Sequence, residues 1–271
     1  MERALTVEGR AVTPASMEPS GYWLLTEGGG LFAYGAAPVH GSLPGHGVPA
    51  GEVVGLAVAP SDAGIWIASS TGRVWEFGSV PKLRDLHDLE VAVTNVVGIA
   101  SSGSGSGAWL VGADGGVYCL GDAEYHGSLP ELGVETVGIV ALVRSERGGG
   151  YYLAGRDGGI FAFGDATYRG SLTEQGHETS EVVDLVLTVG GYAVLDSAGR
   201  VYGFDGTVIE ASVPDLDLAV QAVGIAACSS GYYVACRDGT LIPFGRVPFF
   251  GSPADMSASP RIRAIALAGS G

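Results

Sequence analysis

The side chains able to do chemistry are few in this 271-residue chain, and their spacing matches no catalytic constellation. Five histidines (His40, His46, His87, His126, His177) are scattered along it. A metal centre needs such ligands to converge within a few ångströms. Three cysteines, Cys119, Cys228 and Cys236, are odd in number and fit no zinc spacing, so reduced thiols packed as small apolar groups are expected. No Ser-His-Asp, Cys-His, phosphate-loop or dinucleotide pattern is present. The glycine triplets at 28–30 and 148–150 have no helix after them to offer its N-terminus to a phosphate. Asp114, Asp157 and Asp238 each precede a glycine, where a carboxylate forms a turn. Asp122 and Asp165 follow a glycine and are read the same way. Asp184 stands apart, because it replaces a small residue in an otherwise apolar segment. It is a candidate for facing a central channel and binding a ligand or water there. No metal, cofactor or catalytic residue is expected.

Asp and Glu total 29 against 14 Lys and Arg, a formal charge of −15. Such a surface repels phosphate backbones and anionic headgroups, which excludes nucleic acid and membrane surfaces as expected partners. Lys82 is the only lysine, a bias that points to a GC-rich, actinobacterial source. No apolar run approaches a membrane span. Residues 1–8 lack a basic start followed by an apolar core. If Met1 is the native start, a cytoplasmic location is expected; as a domain of a larger protein, a surface or extracellular one.

What must position any site is a repeat. The stretch from Gly107 to Leu129 recurs in degraded copies that begin at Gly21, Gly64, Gly107, Gly150, Gly191 and Gly231. A period of about 40–45 residues is the length of one four-stranded propeller blade. The 46 glycines and 13 prolines supply the tight turns between short strands. Each unit reads as strands A to D. The A strands are rich in small residues and open at Val53, Val96, Thr136, Val182, Ala222 and Ile262, which suits the crowded position near an axis. The B strands, such as 22–25 and 65–68, are apolar on both faces, as interior strands are. A hairpin follows whose second residue is glycine in all six units, as a type I′ turn requires. The C strands alternate large (Phe32 and Tyr34, Trp75 and Phe77, Phe161 and Phe163) with small side chains, so a bulky face of one blade can fill the small face of its neighbour. The D region, with its Gly-Ser-Leu at 41–43, 127–129 and 170–172, varies most and departs in units two and five.

The last A strand, 262–267, ends just before a seventh B strand would start. The predicted fold is therefore an all-β, six-bladed propeller of four-stranded antiparallel blades, closed by the C-terminal strand joining the N-terminal blade. A seven-bladed or truncated array is the alternative. Residues 21–271 form the single domain. Residues 1–20 are an N-terminal segment, an extra strand or a flexible one, since 8–14 also resembles an A strand.

The copies at 21–43 and 151–172 resemble a repeat common in actinobacterial proteins, with a consensus near GYWLVASDGGVFAFGDAxFYGS. The resemblance covers nearly the whole chain. It implies a β-propeller, often appended to secreted or surface proteins, with no shared catalytic activity. Two binding functions are then weighed against an enzyme with a channel-mouth site, which has least support. One is a non-catalytic scaffold that docks a protein partner, plausibly basic, through loops and outer strands, within a larger assembly or free-standing. The other is a lectin-like module using Tyr125, His126, Tyr168, Arg169 and Phe250 of the D regions, with Asp184 in the channel. Degeneration of units two and five counts against repeated sugar sites.

Overall fold

A computed structural model describes residues 18–44, 52–136, 138–176, 181–209, 211–256 and 260–269. They form an all-β structure of six three-stranded antiparallel sheets, arranged as in a β-propeller. In chain order the strands are β1 Gly21–Thr26, β2 Leu31–Gly35, β3 Val53–Val58, β4 Gly64–Ser69, β5 Val74–Gly78, β6 Val96–Ser101, β7 Gly107–Gly112, β8 Val117–Gly121 and β9 Ile139–Arg144. They continue with β10 Gly150–Gly155, β11 Ile160–Gly164, β12 Val182–Thr188, β13 Gly191–Asp196, β14 Val201–Phe204, β15 Ala222–Cys228, β16 Gly231–Cys236, β17 Leu241–Gly245 and β18 Ile262–Ala268. The sheets are β18-β1-β2, β3-β4-β5, β6-β7-β8, β9-β10-β11, β12-β13-β14 and β15-β16-β17. The C-terminal strand thus pairs antiparallel with β1, from Gly21 opposite Ala268 to Thr26 opposite Ile262. The expected strand around 8–14 lies outside the described residues.

The middle strands start at the six repeat glycines, and nearly every residue in them is buried. Inner strands touch in succession, β3 to β6, β9, β12, β15 and β18, and β18 lies against β3. Backbone bonds link successive sheets at one end, as from Ile139 N–H to Ala113 O at 2.8 Å and from Ile262 N–H to Arg237 O at 2.9 Å. The large faces of β2 and the small ones divide as expected. Phe32 and Tyr34 pack towards Tyr233 and Leu241 of the last sheet, whereas Ala33 packs with Leu56 and Val58 of the second.

Two expectations are corrected. The inner strand of the fourth sheet is Ile139–Arg144, not a segment opening at Thr136, so Ala141 rather than Gly138 is the counterpart of Gly55 and Gly98. Among the described residues the sheets have three strands rather than four, and the D segments form no ladder. Gly41, Gly127, Gly170 and Gly251 have φ between 110° and 123°, outside the extended region of an L residue. Each lies against an aromatic ring of the next sheet. A Cβ on Gly127 would stand 2.9 Å from Phe163, and one on Gly41 would stand 2.8 Å from Phe77.

Side chains hold these segments in place of a ladder. The third residue of the middle strand reaches the D segment of its own sheet: Trp23 Nε1 donates to Pro38 O (2.8 Å), Trp66 to Pro81 O (3.1 Å) and Trp109 to Glu124 O (2.7 Å). The tyrosines Tyr152 and Tyr233 do the same to Thr167 O and Pro248 O. The second residue reaches the D segment of the preceding sheet. Tyr151 donates to Gly127 O (2.6 Å), Tyr192 to Gly170 O (2.6 Å), Tyr22 to Gly251 O (2.7 Å), and Tyr232 to Ala211 O. Finally Leu43, Leu86, Leu129, Leu172 and Val213 plug the middle-to-outer hairpin, and their N–H groups donate to Gly29, Gly72, Gly115, Gly158 and Gly199. Units two and five, divergent in sequence, keep this plug.

Candidate functional site

The inner strands set the geometry of the axis. All six carry a β-bulge at their second residue, which is skipped in the pairing with the middle strand: Val54, Val97, Val140, Val183, Val223 and Arg263. A bulge re-aims a side chain and strengthens local twist. Residues of all six inner strands line a cavity of about 390 Å³, with Glu27, Arg156, Glu181, Gln221 and Arg237 also in its wall. A second cavity, of about 550 Å³, is lined by the other ends of the same strands with Asp62, Arg144, Glu146 and Arg147. Leu56, Ile99, Leu142 and Ile265 border both, so an apolar waist separates a polar chamber from a more apolar one.

Asp184 lies in the first chamber, as expected of it. Its Oδ1 accepts Leu185 N–H at 2.8 Å and its Oδ2 accepts Ile225 N–H of the next inner strand at 2.9 Å. Burial pushes its carboxyl up to about 6, against the pull of these two bonds and of the Arg263 charge. The carboxylate therefore ties β12 to β15. Arg263 donates from Nε to Val54 O at 3.2 Å, and burial lowers its pKa. In the second chamber burial likewise lowers Arg144, whose Nη1 approaches Ser102 O at 3.4 Å. The arginines were missed in the sequence. Arg263 was legible there as the one departure from valine at its position.

The D-region candidates do not converge. Tyr125 is exposed and bonds Ser128 (2.9 Å) and Glu131 (2.7 Å). His126 is wedged beside Trp109 and Tyr151, ring centroids 6.3 and 5.8 Å away, where it packs rather than binds. Tyr168 is exposed, while Arg169 pairs with Glu146 at 3.6 Å and with Asp205 across two sheets. Phe250 packs on Tyr22, centroids 5.6 Å apart. These five belong to the segments of three different sheets. His40 stacks on Trp23, whereas His126 is tilted against Trp109; His46 and His177 lie outside the described residues.

The turn aspartates behave as turn formers. Asp114, Asp157 and Asp238 accept the N–H two residues on, at 2.9–3.1 Å. Asp122 fastens the inner-to-middle hairpin through Ser102 (2.9 Å) and Ser104 (2.5 Å), and Asp165 does so through Ser145 and Gly149. Asp85, His87 and Asp88 lie close enough to share an ion. Asp85 is already engaged by Val74 N–H and Asp88 N–H, and Arg73 sits 3.1 Å from His87, so a cation would compete with a guanidinium. Cys119, Cys228 and Cys236 are all free thiols.

One surface repeats from sheet to sheet. The connectors that lead from a D segment into the next inner strand expose Leu89 and Val91, Leu132 and Val134, Leu216 and Leu218, and Met256. Acidic residues flank the pairs: Asp88 and Glu90, Glu131 and Glu135, Asp215 and Asp217. The connectors share the end of the structure that carries the middle-to-outer hairpins and the polar chamber.

No protein-family model and no curated protein matches the chain. Among described residues no helix is long and apolar enough to cross a membrane. A chain in the crystal structure of a nidogen/laminin complex is similar in structure, with a TM-score of 0.58 and 12% identity over 92% of this chain and 98% of that one. At that identity the likeness concerns the fold alone, and it agrees with the β-propeller arrangement of the six sheets.

Proposed function

We propose that the protein is a closed, six-bladed β-propeller that serves as a non-catalytic module docking a protein partner on its connector face. The ring is supported by the pairing of β18 with β1 and by the contact of β18 with β3. The resemblance to the actinobacterial repeat is part of this proposal. The observation that carries the docking reading is the recurrence of exposed Leu or Val beside carboxylates on the connectors after the second, third and fifth sheets. Isolated exposed apolar residues need no explanation, but the same pattern repeated on one face does. Its chemistry suits a partner whose apolar contacts are interspersed with Arg and Lys, and the charge of −15 would steer such a partner in. The similar nidogen/laminin structure holds a complex of proteins, which agrees with this use of the fold.

The experiment compares the native chain with the Leu89→Ser, Leu132→Ser, Leu216→Ser triple variant in affinity capture from the source organism. A stoichiometric partner held by the native chain, released by salt and lost in the folded variant, is expected. A partner held equally by both, or specific glycan-array binding with no protein captured, would overturn the reading. The second outcome would return the function to Tyr125 and Tyr168, exposed rings at equivalent positions of neighbouring sheets.

A further inference from the structure

Two residues break the sixfold pattern of the inner strands, and both line the polar chamber. Arg263 is the bulged residue where five strands have valine. Asp184 follows the bulge where the others have Gly55, Gly98, Ala141, Gly224 and Ala264. They stand on β12 and β18, the strands on either side of β15. Asp184 Oδ2 would lie 3.6 Å from a Cβ on Gly224 of that intervening strand. Among described residues no ion pair joins Asp184 to Arg263. Each is anchored by backbone, through Ile225 N–H and Val54 O respectively.

The chamber wall holds a second basic group near the first. Arg237 pairs with Glu27 at 2.6 Å and reaches Gln221 Oε1 at 3.4 Å, while its buried Nε has no hydrogen-bond partner among described residues. Its charge disfavours that of Arg263. Asp184 and Glu27 both favour the Arg263 charge, whereas the buried Nε of Arg237 is a donor without an acceptor, which is costly. With Arg156 paired to Glu181 at 3.3 Å, the chamber carries three arginines and three carboxylates. A simple anion would meet the arginines but also face Asp184. A zwitterion satisfies both signs without changing the charge of the chamber.

We propose that the polar chamber binds a free α-amino acid with a small aliphatic side chain. Its carboxylate sits on Arg263, its ammonium on Asp184, and its side chain against the waist at Leu56, Ile99 and Ile265. The volume of about 390 Å³ is at the small end of the range for small-molecule sites, roughly 300–1,000 Å³, which suits such a ligand. Replacing Arg263 by the valine and Asp184 by the glycine of the sibling strands restores the pattern of the repeat and removes the site.

Isothermal titration of the full chain with L-alanine and L-valine tests this, with propionate and propylamine as half-ligands. One amino acid per chain is expected, weakened roughly tenfold or more in Arg263→Val and in Asp184→Gly, with each half-ligand weaker by a similar factor. Should Asp184→Gly not fold, Asp184→Asn keeps the shape without the charge. No heat with either amino acid would overturn the proposal, as would binding unchanged in both variants. Propionate binding as tightly as L-alanine would also overturn it, by making the site one for simple anions.

Discussion

Replacing Tyr22 by phenylalanine removes one oxygen from the joint between the last sheet and the first. That hydroxyl donates to Gly251 O at 2.7 Å and accepts Phe250 N–H at 3.0 Å, linking residues 228 and 229 positions apart in the chain. The ring itself stays packed against Tyr233 and Tyr34, centroids 5.3 and 5.6 Å away, so no cavity forms. The loss is two hydrogen bonds at about 1 kcal/mol each, plus part of the desolvation of the two backbone groups, in all about 2–3 kcal/mol. For a chain of this length that lowers Tm by roughly 4–10 °C. Urea unfolding followed by intrinsic fluorescence measures it, with an unchanged m-value showing that only stability moved. Tyr118→Phe is the control: its hydroxyl has no hydrogen bond among described residues, and a change within about 0.5 kcal/mol is expected. Equal, negligible effects for the two variants would refute the idea that Tyr22 bolts the ends of the chain together.

Further outcomes follow from the same structure. Leu129→Ala, which empties the plug beneath Gly115, should cost about 2–5 kcal/mol in the same assay. Asp184 titrates near 6 when folded against 3.8 when unfolded, so it takes up a proton more readily in the folded chain. Its contribution to stability is complete below pH 3.8 and is lost as pH rises through 6. Raising the pH across that window should therefore erode the native chain relative to Asp184→Asn by at most about 3 kcal/mol, with Arg263 moderating the effect. A flat difference between the two pH-stability curves would contradict this. Burial pushes Cys119 above its usual range and Cys236 up to about 12, and Cys228 is buried. A thiol reagent at pH 8 should thus react slowly with the folded protein, Cys119 first, and with three thiols after unfolding.

The parts legible in the sequence are those where a local rule decides. Glycine starts at Gly21, Gly64 and their counterparts mark the middle strands, and the Asp-Gly turns close as Asx turns. The absent fourth strand was not legible, because its cause lies in another part of the chain. Gly127 adopts a φ of 120° under Phe163, and Tyr151 takes its carbonyl, contacts 24 and more residues away that no periodicity within the segment reports. These hydroxyls, with the indole N–H groups of Trp23, Trp66 and Trp109, explain the aromatic pairs of the middle strands better than burial does, since they replace a strand ladder. Asp184 stood out as a charge among small residues. Arg263 was equally legible, as the one residue other than valine at the second position of the inner strands.

The central claim is that β18 pairs with β1 in one sheet and that this pairing closes the proposed ring. Native-state hydrogen exchange of Ile262–Ala268 tests it most directly. The account predicts that these amides exchange with the same protection as the inner strand Val96–Ser101, through global unfolding. Rapid exchange confined to Ile262–Ala268, with the other inner strands protected, would show an end that frays on its own and would contradict the closed ring.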